Sequence, residues 1–287
     1  MRLPVQLLKR LPDTHKGDYG YVFVVGGSPG LTGAVCLAAE AALKIGGGLV
    51  RVGVPASLNE IFEVKLTEVM SLPLKDISGF LSVNAFIQIE DILDRIDVIA
   101  LGCGASTNPS TQQLILKIIE EVDKPLIVDA DGINALVKDI SVLERRKSKN
   151  LILTPHLGEF SRLINTSIEE IKENKKELVK NFSFRYNLIL LLKGYHSLVS
   201  NGKDVFVNNT GNPGMATAGM GDVLTGIISG LVAQGLDCFE SAKLGAYIHG
   251  LAGDIAVKEK TQLCLVASDI INYLPKAVKL AIRKNRG

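Results

Sequence analysis

The part of the chain best suited to chemistry is a glycine-rich loop that runs into a predicted helix. Residues 208–231 read NNTGNPGMATAGMGDVLTGIISGL, and the apolar run Val223–Leu231 predicts the helix. Glycines free several backbone N–H groups to converge on one point, and a helix start adds partial positive charge. The loop therefore predicts an anion hole that suits a phosphate. Its glycines stand at positions 211, 214, 219 and 221.

Asp222, beside this loop, has two interpretations. A carboxylate next to a phosphate site can take a proton from a hydroxyl that is about to receive a phosphoryl group. Asp is also a favoured helix cap, in which case Asp222 would be structural. The glycines together with Asn208, Asn209, Asn212 and Thr217 in one loop favour the phosphate site.

Asp129 and Asp131 follow the predicted strand Pro125–Val128 in the segment DADGINAL. They could hold Mg²⁺ through water, because Mg²⁺ takes few carboxylates when phosphate oxygens complete its shell. Alternatively, Asp131 caps a helix that runs through Asn134 and Leu136. The spacing leaves both interpretations open.

Three further candidates follow later strands. In TPHLGEF, His156 can hydrogen-bond a polar ligand, while Glu159 can orient a Mg²⁺-bound water or cap the next helix. The sequence has no HxxxH motif or cysteine partner there, so we expect no metal site made directly of clustered side chains. Lys193 ends a buried apolar strand, where an unpaired charge is unfavourable. It pairs either with a ligand phosphate or with a carboxylate of the protein.

These residues need a parallel sheet to bring them together. Short apolar runs alternate with helical patterns, which favours βαβ units, and Asn201-Gly202 between two alternating runs predicts a hairpin. Ligands bind such sheets beyond the carboxyl ends of the strands, so we expect one cleft. The segment 26–34, GGSPGLTGA, lacks GxGxxG spacing and predicts either a tight turn or a close backbone approach to a ligand.

We therefore predict an α/β fold, a three-layer α/β/α sandwich with a mostly parallel central sheet and a small antiparallel edge, as one domain over residues 1–287. The predicted strands are Tyr21–Val25, Leu49–Val54, Asp97–Leu101, Pro125–Val128, Leu151–Leu153, Leu188–Leu192, His196–Ser200 and Val205–Val207. The predicted helices are Thr32–Ile45, Ala85–Leu93, Ser110–Val122, Ile168–Arg185, Val223–Gln234, Ser241–Val257 and Ala267–Ile282.

Composition excludes several classes of function. The net charge of +2 gives no electrostatic reason to expect nucleic acid or a membrane as a partner. The four cysteines, at positions 36, 103, 238 and 264, show no CxxC spacing and are expected to be buried or incidental thiols. The N-terminus has no long apolar stretch typical of a secretory signal. We expect a soluble, cytoplasmic protein.

Several motifs, in this order, resemble the NAD(P)H-hydrate dehydratases, which have a ribokinase-like fold. They are HKGDYGYVFVVGGSPGLTGA, DADGINAL, LTPHLGEF, LLKGYHS, the loop at 208–231 and CLVASDIINYLPKAV. The loop alone occurs across ribokinase-like kinases, whereas TPHLGE combined with GNPGMATAGMGD is more specific to the dehydratases. The resemblance runs from about Leu7 to the C-terminus.

The resemblance implies repair of a damaged cofactor. NADH or NADPH that has gained water carries a hydroxyl at C6; the family phosphorylates this hydroxyl and then loses phosphate. It also implies ADP as the phosphoryl donor, with AMP and phosphate as products, Mg²⁺ as the cofactor and a homotetramer. Larger relatives carry an additional N-terminal epimerase domain, so we expect that activity on a separate protein.

The resemblance also assigns site residues. Asp222 matches the catalytic base, which also contacts the substrate, and Ala34, Gly104 and His156 match positions that contact the hydrated nicotinamide nucleotide. Asn134 and Glu159 lie in motifs that organise Mg²⁺ and phosphates in ribokinase-like relatives. The residues matched to nucleotide binding are Lys193, Gly194, Tyr195, His196 and Ser197 for the adenine nucleotide, and Gly219, Met220 and Gly221 for the phosphoryl group.

The chain departs from the family pattern in two places. In LGCGAS, Cys103 and Ser106 replace a proline and a glycine, so the turn that holds Gly104 can differ. Ala218 stands where a glycine is expected, and we expect this change to be tolerated. Two alternatives remain: a sugar or vitamin kinase of the same fold, and a nucleotide-binding sensor without turnover.

Overall fold

The computed structural model describes Pro4, Leu7 and residues 10–283. Its strands form one nine-stranded sheet and one separate two-stranded sheet. The strands are β1 (Tyr21–Val25), β2 (Leu49–Pro55), β3 (Met70–Leu74), β4 (Asp76–Ile77), β5 (Phe80–Leu81), β6 (Val98–Leu101), β7 (Leu126–Val128), β8 (Leu151–Leu153), β9 (Ile189–Leu192), β10 (Leu198–Ser200) and β11 (Val205–Val207).

The large sheet has the order β11-β10-β9-β8-β7-β6-β1-β2-β3. Every pair from β3 across to β9 is parallel, whereas β9–β10 and β10–β11 are antiparallel. The predicted parallel sheet with an antiparallel edge is therefore confirmed. The edge strand β3 was not predicted, because Pro73 interrupts its pattern and an edge strand tolerates proline. The small β4–β5 hairpin was also not predicted.

Helices cover both faces of this sheet. They are α1 (Thr32–Lys44), α2 (Asn59–Lys65), α3 (Phe86–Glu90), α4 (Pro109–Glu121), α5 (Asp131–Lys138), α6 (Val142–Arg145), α7 (Leu157–Ile164), α8 (Ile168–Glu173), α9 (Lys175–Tyr186), α10 (Met220–Ala233), α11 (Cys238–Glu259) and α12 (Ala267–Arg283). Among the described residues, no helix combines the length and the apolar character needed to cross a bilayer.

Four predicted helices differ clearly from those in the structure, and one of them, α10, begins at Met220 instead of the predicted Val223. The prediction of one continuous helix over 168–185 was wrong, because Asn174, with φ −114° and ψ 23°, ends α8 and precedes α9. The helix predicted over 85–93 is shortened to α3, which is flanked by 3-10 turns. Helix α11 begins three residues earlier than predicted, because the Asp237 carboxylate accepts hydrogen bonds from the N–H groups of Phe239 and Glu240.

The central strands are buried on both faces, which explains their unbroken apolar sequences. On one face, Phe23, Ile99 and Leu101 belong to the cluster that includes α4. On the other face, Val24 and Ala100 belong to the cluster that includes α1, α10 and α11. This alternation produces the three predicted layers.

Helix α10 carries the end of the glycine-rich loop and is packed tightly against α1. A Cβ atom placed on Gly226 would lie 2.0 Å from the carbonyl oxygen of Ala38, and one on Gly230 would lie 2.6 Å from that of Ala42. Only glycine permits so close an approach of two helix backbones. The two glycines therefore fix where α10 begins relative to the sheet.

Candidate active site

The candidate residues lie at the edge of the sheet where the parallel strands end. Beyond the strands themselves, backbone hydrogen bonds still link neighbouring segments, from Gly27 N to Cys103 O (3.1 Å), from Asp129 N to Leu101 O (3.0 Å) and from Lys193 N to Pro155 O (2.8 Å). The segments after β1, β6, β7, β8 and β9 are thus held side by side. This arrangement brings the segments together at the edge where the sequence predicts a ligand cleft.

An ion pair between a buried carboxylate and a partly buried lysine lies at the centre of this edge. Lys193 Nζ is 2.5 Å from Asp129 Oδ1, and Thr225 Oγ1 donates to Asp129 Oδ2 at 2.9 Å. Burial alone would raise the pKa of the Asp129 carboxyl, but attraction to Lys193 and the hydrogen bonds hold it below its usual value. Of the two alternatives for Lys193, the structure contains the salt bridge to a carboxylate.

The start of α10 faces this ion pair. Gly219 adopts a left-handed conformation with φ 85° before the helix begins, and the first backbone bond runs from Val223 N to Gly219 O. The N–H groups of Met220, Gly221 and Asp222 precede that bond and have no acceptor within the helix. A Cβ atom on Gly221 would lie 3.1 Å from Lys193 Nζ, so the loop, the helix start and the lysine converge.

Asp222 is the third residue of α10, because the helix begins at Met220, three residues before the expected start at Val223. Burial and the nearby Asp129 carboxylate raise the pKa of Asp222 to about 6. A hydrogen bond from the Cys103 thiol acts in the opposite direction and lowers this pKa. Gly219, and not Asp222, occupies the cap position, and no side chain caps the helix start. The structural interpretation of Asp222 as a helix cap is therefore wrong.

Ala34 and Gly104 are neighbours. Gly104 has φ 59°, and a Cβ atom on it would lie 3.1 Å from the Ala34 Cβ and 2.4 Å from the Leu31 carbonyl oxygen. Ser28 Oγ donates to the Gly104 carbonyl oxygen at 2.9 Å. The turn with Cys103 and Ser106 in place of a proline and a glycine thus still brings Gly104 against the start of α1.

His156 and Glu159 cap α7 reciprocally. His156 Nδ1 accepts hydrogen bonds from Gly158 N (3.0 Å) and Glu159 N (3.2 Å), while Glu159 Oε2 accepts one from His156 N (2.8 Å). Since Nδ1 accepts, the proton of the neutral imidazole lies on Nε2. Burial, with Lys193 and Arg162 nearby, lowers the pKa of His156, so the ring is neutral at pH 7. Burial and Asp129 raise the pKa of Glu159 to about 6, although Lys193 opposes them.

Asn134 belongs to a hydrogen-bonded chain beside this carboxylate. It donates from Nδ2 to Asp131 Oδ1 at 3.1 Å and accepts from Arg162 Nη2 at 3.0 Å. Asp131 Oδ2 also accepts from Ser106 N at 2.7 Å. The residue at the cap of α5 is Ala130, so the alternative in which Asp131 caps that helix is wrong.

The segment from Gly194 to Ser197 lies beyond β9 and is more open than the rest of the site. Tyr195 is 86% exposed and its ring stacks on His196 with centroids 3.9 Å apart. Ser197 Oγ donates to the Gly194 carbonyl oxygen at 2.8 Å. Lys175 Nζ holds the carbonyl oxygens of Tyr195 and His196, each at 3.2 Å. The contact between this part of the chain and the other candidate residues is made by Lys193, which pairs with Asp129.

Three residues of the site were not predicted from the sequence. Thr225 follows Asp222 by three positions, so helical spacing could have placed both on one face. Cys103 and Arg162 gave no comparable signal, because their partners are 119 and 28 residues away in the chain. Only the folded sheet brings those pairs together.

The site carries more carboxylates than cations. Asp129, Asp131, Glu159 and Asp222 act on one another electrostatically, and the partly buried Lys193 is a cation among them. Within the described residues, no three His, Cys, Asp or Glu side chains are clustered so that they could hold a metal directly. The free N–H groups beside a base with a raised pKa suit the transfer of a phosphoryl group to a hydroxyl.

Known proteins agree with this chemistry. Residues 22–276 match the family model described as NAD(P)H-hydrate dehydratase. The chain is 45% identical over 277 residues to a bifunctional NAD(P)H-hydrate repair enzyme of Moorella thermoacetica, covering 96% of this chain and 52% of that protein. The chain thus spans about half the length of the first curated relatives it matches.

Two further proteins resemble the chain over most of their own length. An ADP-dependent (S)-NAD(P)H-hydrate dehydratase of Neisseria meningitidis is 36% identical, with 94% of this chain and 88% of that protein covered. The structure of an ADP/ATP-dependent NAD(P)H-hydrate dehydratase from Bacillus subtilis, co-crystallised with ATP and Mg²⁺, superimposes with a TM-score of 0.81 at 27% identity, covering 98% and 95% of the two chains. The ribokinase-like fold is thereby established, and the chain belongs to the NAD(P)H-hydrate dehydratase family.

Proposed function

We propose that this chain dehydrates hydrated NADH and NADPH, driven by phosphoryl transfer from ADP, with AMP and phosphate as products. The observation that carries this proposal is the position of Asp222 among the free N–H groups at the start of α10, where burial raises its pKa to about 6. A base with that pKa is ionised at pH 7 and still accepts a proton readily. Family membership supports the same substrate class.

The site divides between two ligands. We assign the hydrated nicotinamide to the side formed by Ala34, Gly104 and His156, whose neutral ring offers an Nε2–H donor. We assign ADP to the open segment from Lys193 to Ser197, with the terminal phosphate on the N–H groups of Met220 and Gly221. Asp222 lies between the two.

The reaction then needs two stages. Asp222 takes the proton of the C6 hydroxyl while that oxygen attacks the terminal phosphorus of ADP; the bond from phosphorus to the bridging oxygen breaks, and AMP leaves with the electron pair. The ring nitrogen next donates its lone pair as the C6–O bond breaks, because phosphate leaves far more readily than hydroxide. Loss of a proton from C5 then restores the ring double bond.

The donor set also fits Mg²⁺. The carboxylates outnumber the cations at this edge, and Mg²⁺ prefers one or two carboxylates together with water and phosphate oxygens. Asn134 and Glu159 would hold the ion through water. When bound with the nucleotide, Mg²⁺ supplies neutralisation of phosphate charge. The Bacillus subtilis relative co-crystallised with ATP and Mg²⁺ supports this assignment.

The test is recovery of the reduced cofactor. The protein is incubated with hydrated NADH, Mg²⁺ and either ADP or ATP, and the absorbance band of reduced nicotinamide is followed alongside AMP and ADP formation. We expect recovery with ADP, with one AMP formed for each NADH. Absence of recovery with both nucleotides would contradict the proposal. A sugar or vitamin kinase of this fold would instead consume nucleotide with those substrates and leave the hydrate unchanged.

A further inference from the structure

The loop that leads to the start of α10 lies along one face of α11. A Cβ atom on Gly250 would lie 2.4 Å from Thr210 Oγ1, and one on Gly253 would lie 2.3 Å from Met215 Sδ. Thr210 Oγ1 also donates to the Tyr247 carbonyl oxygen at 2.9 Å. Glycines on α11 therefore let the loop pack directly onto the helix.

Asp254, on the same helix, bonds the first turn of this loop with both carboxylate oxygens. Oδ2 accepts from Gly211 N at 2.9 Å, and Oδ1 accepts from Asn212 Nδ2 at 3.1 Å. Asn212 Oδ1 in turn accepts from Gly214 N at 3.1 Å. Asp254 thus fixes the backbone where the loop leaves the sheet, through hydrogen bonds to a charged acceptor.

His249, five residues before Asp254 on α11, contacts the other end of the loop. Its imidazole is hydrogen bonded to the backbone of Met220, and burial lowers the pKa of this ring to about 4, so it stays neutral at pH 7. Within the described part of the chain its Nε2 has no partner, so the bond to Met220 uses Nδ1. The same helix therefore holds the loop at Gly211–Asn212 and at the start of α10.

We propose that Asp254 is a positioning residue for phosphoryl transfer: through Gly211 and Asn212 it sets the path of the loop that presents the main-chain amides of 220–222 to the phosphate. This inference rests on the proposed function. Asp254 itself touches neither reacting group; it acts through the loop. A small displacement of catalytic groups lowers rates steeply. Loss of the Asp254 carboxylate should therefore lower kcat more than it weakens substrate binding.

The test is an exchange of the two hydrogen-bonding side chains. In Asp254→Asn, the new amide nitrogen faces a donor, and in Asn212→Asp two carboxylates face each other. In the double variant, Asn at 254 can accept from Gly211 N and donate to Asp at 212, whose other oxygen accepts from Gly214 N. All the original hydrogen bonds are then possible again.

We expect each single variant to lower kcat by about tenfold with little change in KM for the hydrate, and the double variant to recover to within about threefold of the wild type. Glu259→Gln is the matched control, since Glu259 is also on α11 but pairs with Lys276 and Tyr273. It should leave kcat unchanged. Normal kcat in Asp254→Asn, or a double variant no better than the single ones, would overturn the inference.

Hydrogen exchange of peptides over 209–222 gives a second measurement that needs no turnover. Exchange should be faster in each single variant and return to the wild-type rate in the double variant, while the sheet peptides stay unchanged. If the wild type has no dehydratase activity but this pattern holds, the proposed function fails and the loop-positioning role stands. Unchanged exchange in the single variants would contradict that role.

Discussion

At the scale of single residues, the proposed reaction depends on the Asp222 carboxylate, which burial makes a better base. Asp222→Asn removes the proton acceptor and keeps the shape, so we expect kcat to fall by about 10²- to 10⁴-fold, with nucleotide binding retained.

The same variant should be more stable than the wild type at pH 8, by roughly 2 kcal/mol, because the buried charge is unfavourable and its pKa is raised to about 6.

The sign of this stability difference depends on pH. The folded-state pKa of Asp222 lies above its unfolded value, so its titration favours folding below the unfolded pKa, and that contribution is lost as the pH rises through about 6. The advantage of Asp222→Asn should therefore be full at pH 8 and shrink towards zero near pH 4. Chemical denaturation at both pH values measures it. Equal stabilisation at both would contradict the assigned cause.

Residue types and spacing predicted most of the candidate site, but not how its members pair. The glycines and Asp222 could be identified from a short stretch of sequence, because a loop and a helix start are short-range structures. The salt bridge between Asp129 and Lys193 joins residues 64 positions apart, and the sequence left its existence as one of two alternatives. The Cys103 thiol beside Asp222 depends on β6 and α10 meeting, which local spacing does not reveal.

At the scale of elements, the close packing of α1 and α10 should be sensitive to a single methyl group. Gly226→Ala would place its Cβ atom 2.0 Å from the Ala38 carbonyl oxygen, so the helices must separate. We expect a loss of about 2 kcal/mol or more in the free energy of unfolding. Gly33→Ala, on α1, is the matched control. Apart from its chain neighbours and its own helix backbone, no atom of the described residues lies within 4 Å of the added Cβ atom, so stability should change by less than about 0.5 kcal/mol.

Denaturant unfolding of both variants makes this comparison. Equal stability of the two would mean that α1 and α10 are not held at backbone contact. Because α10 carries Met220 and Gly221 at its first turn, Gly226→Ala should also lower dehydratase activity under conditions where the variant is folded.

Elements with strong periodicity were predicted well, and those decided by single residues were not. The buried strands β6 to β9 are unbroken apolar runs, so their existence followed from sequence. Strand β3 contains Pro73 and lies at the edge of the sheet, where it pairs with β2, so its pattern is weak. The break at Asn174 separates α8 from α9 within a charged amphipathic stretch whose periodicity continues across it.

At the scale of the whole molecule, the parallel sheet explains why residues from distant segments lie in one candidate site. The ends of β1 and of β6 to β9 meet at one edge, and α10 begins at that edge with its free N–H groups. The nucleotide and the hydrate can then approach from neighbouring strand ends. The single domain over 1–287, the homotetramer, the separate epimerase and the cytoplasmic location stay predictions.

The most direct test of the central claim is a crystal structure of Asp222→Asn with ADP, Mg²⁺ and hydrated NADH. Because this variant should bind without turnover, both ligands should be trapped. We predict the terminal phosphate oxygens at about 3 Å from the N–H groups of 220–222, with the C6 hydroxyl beside the amide of residue 222. A terminal phosphate bound away from the start of α10, with these N–H groups facing water, would contradict the account.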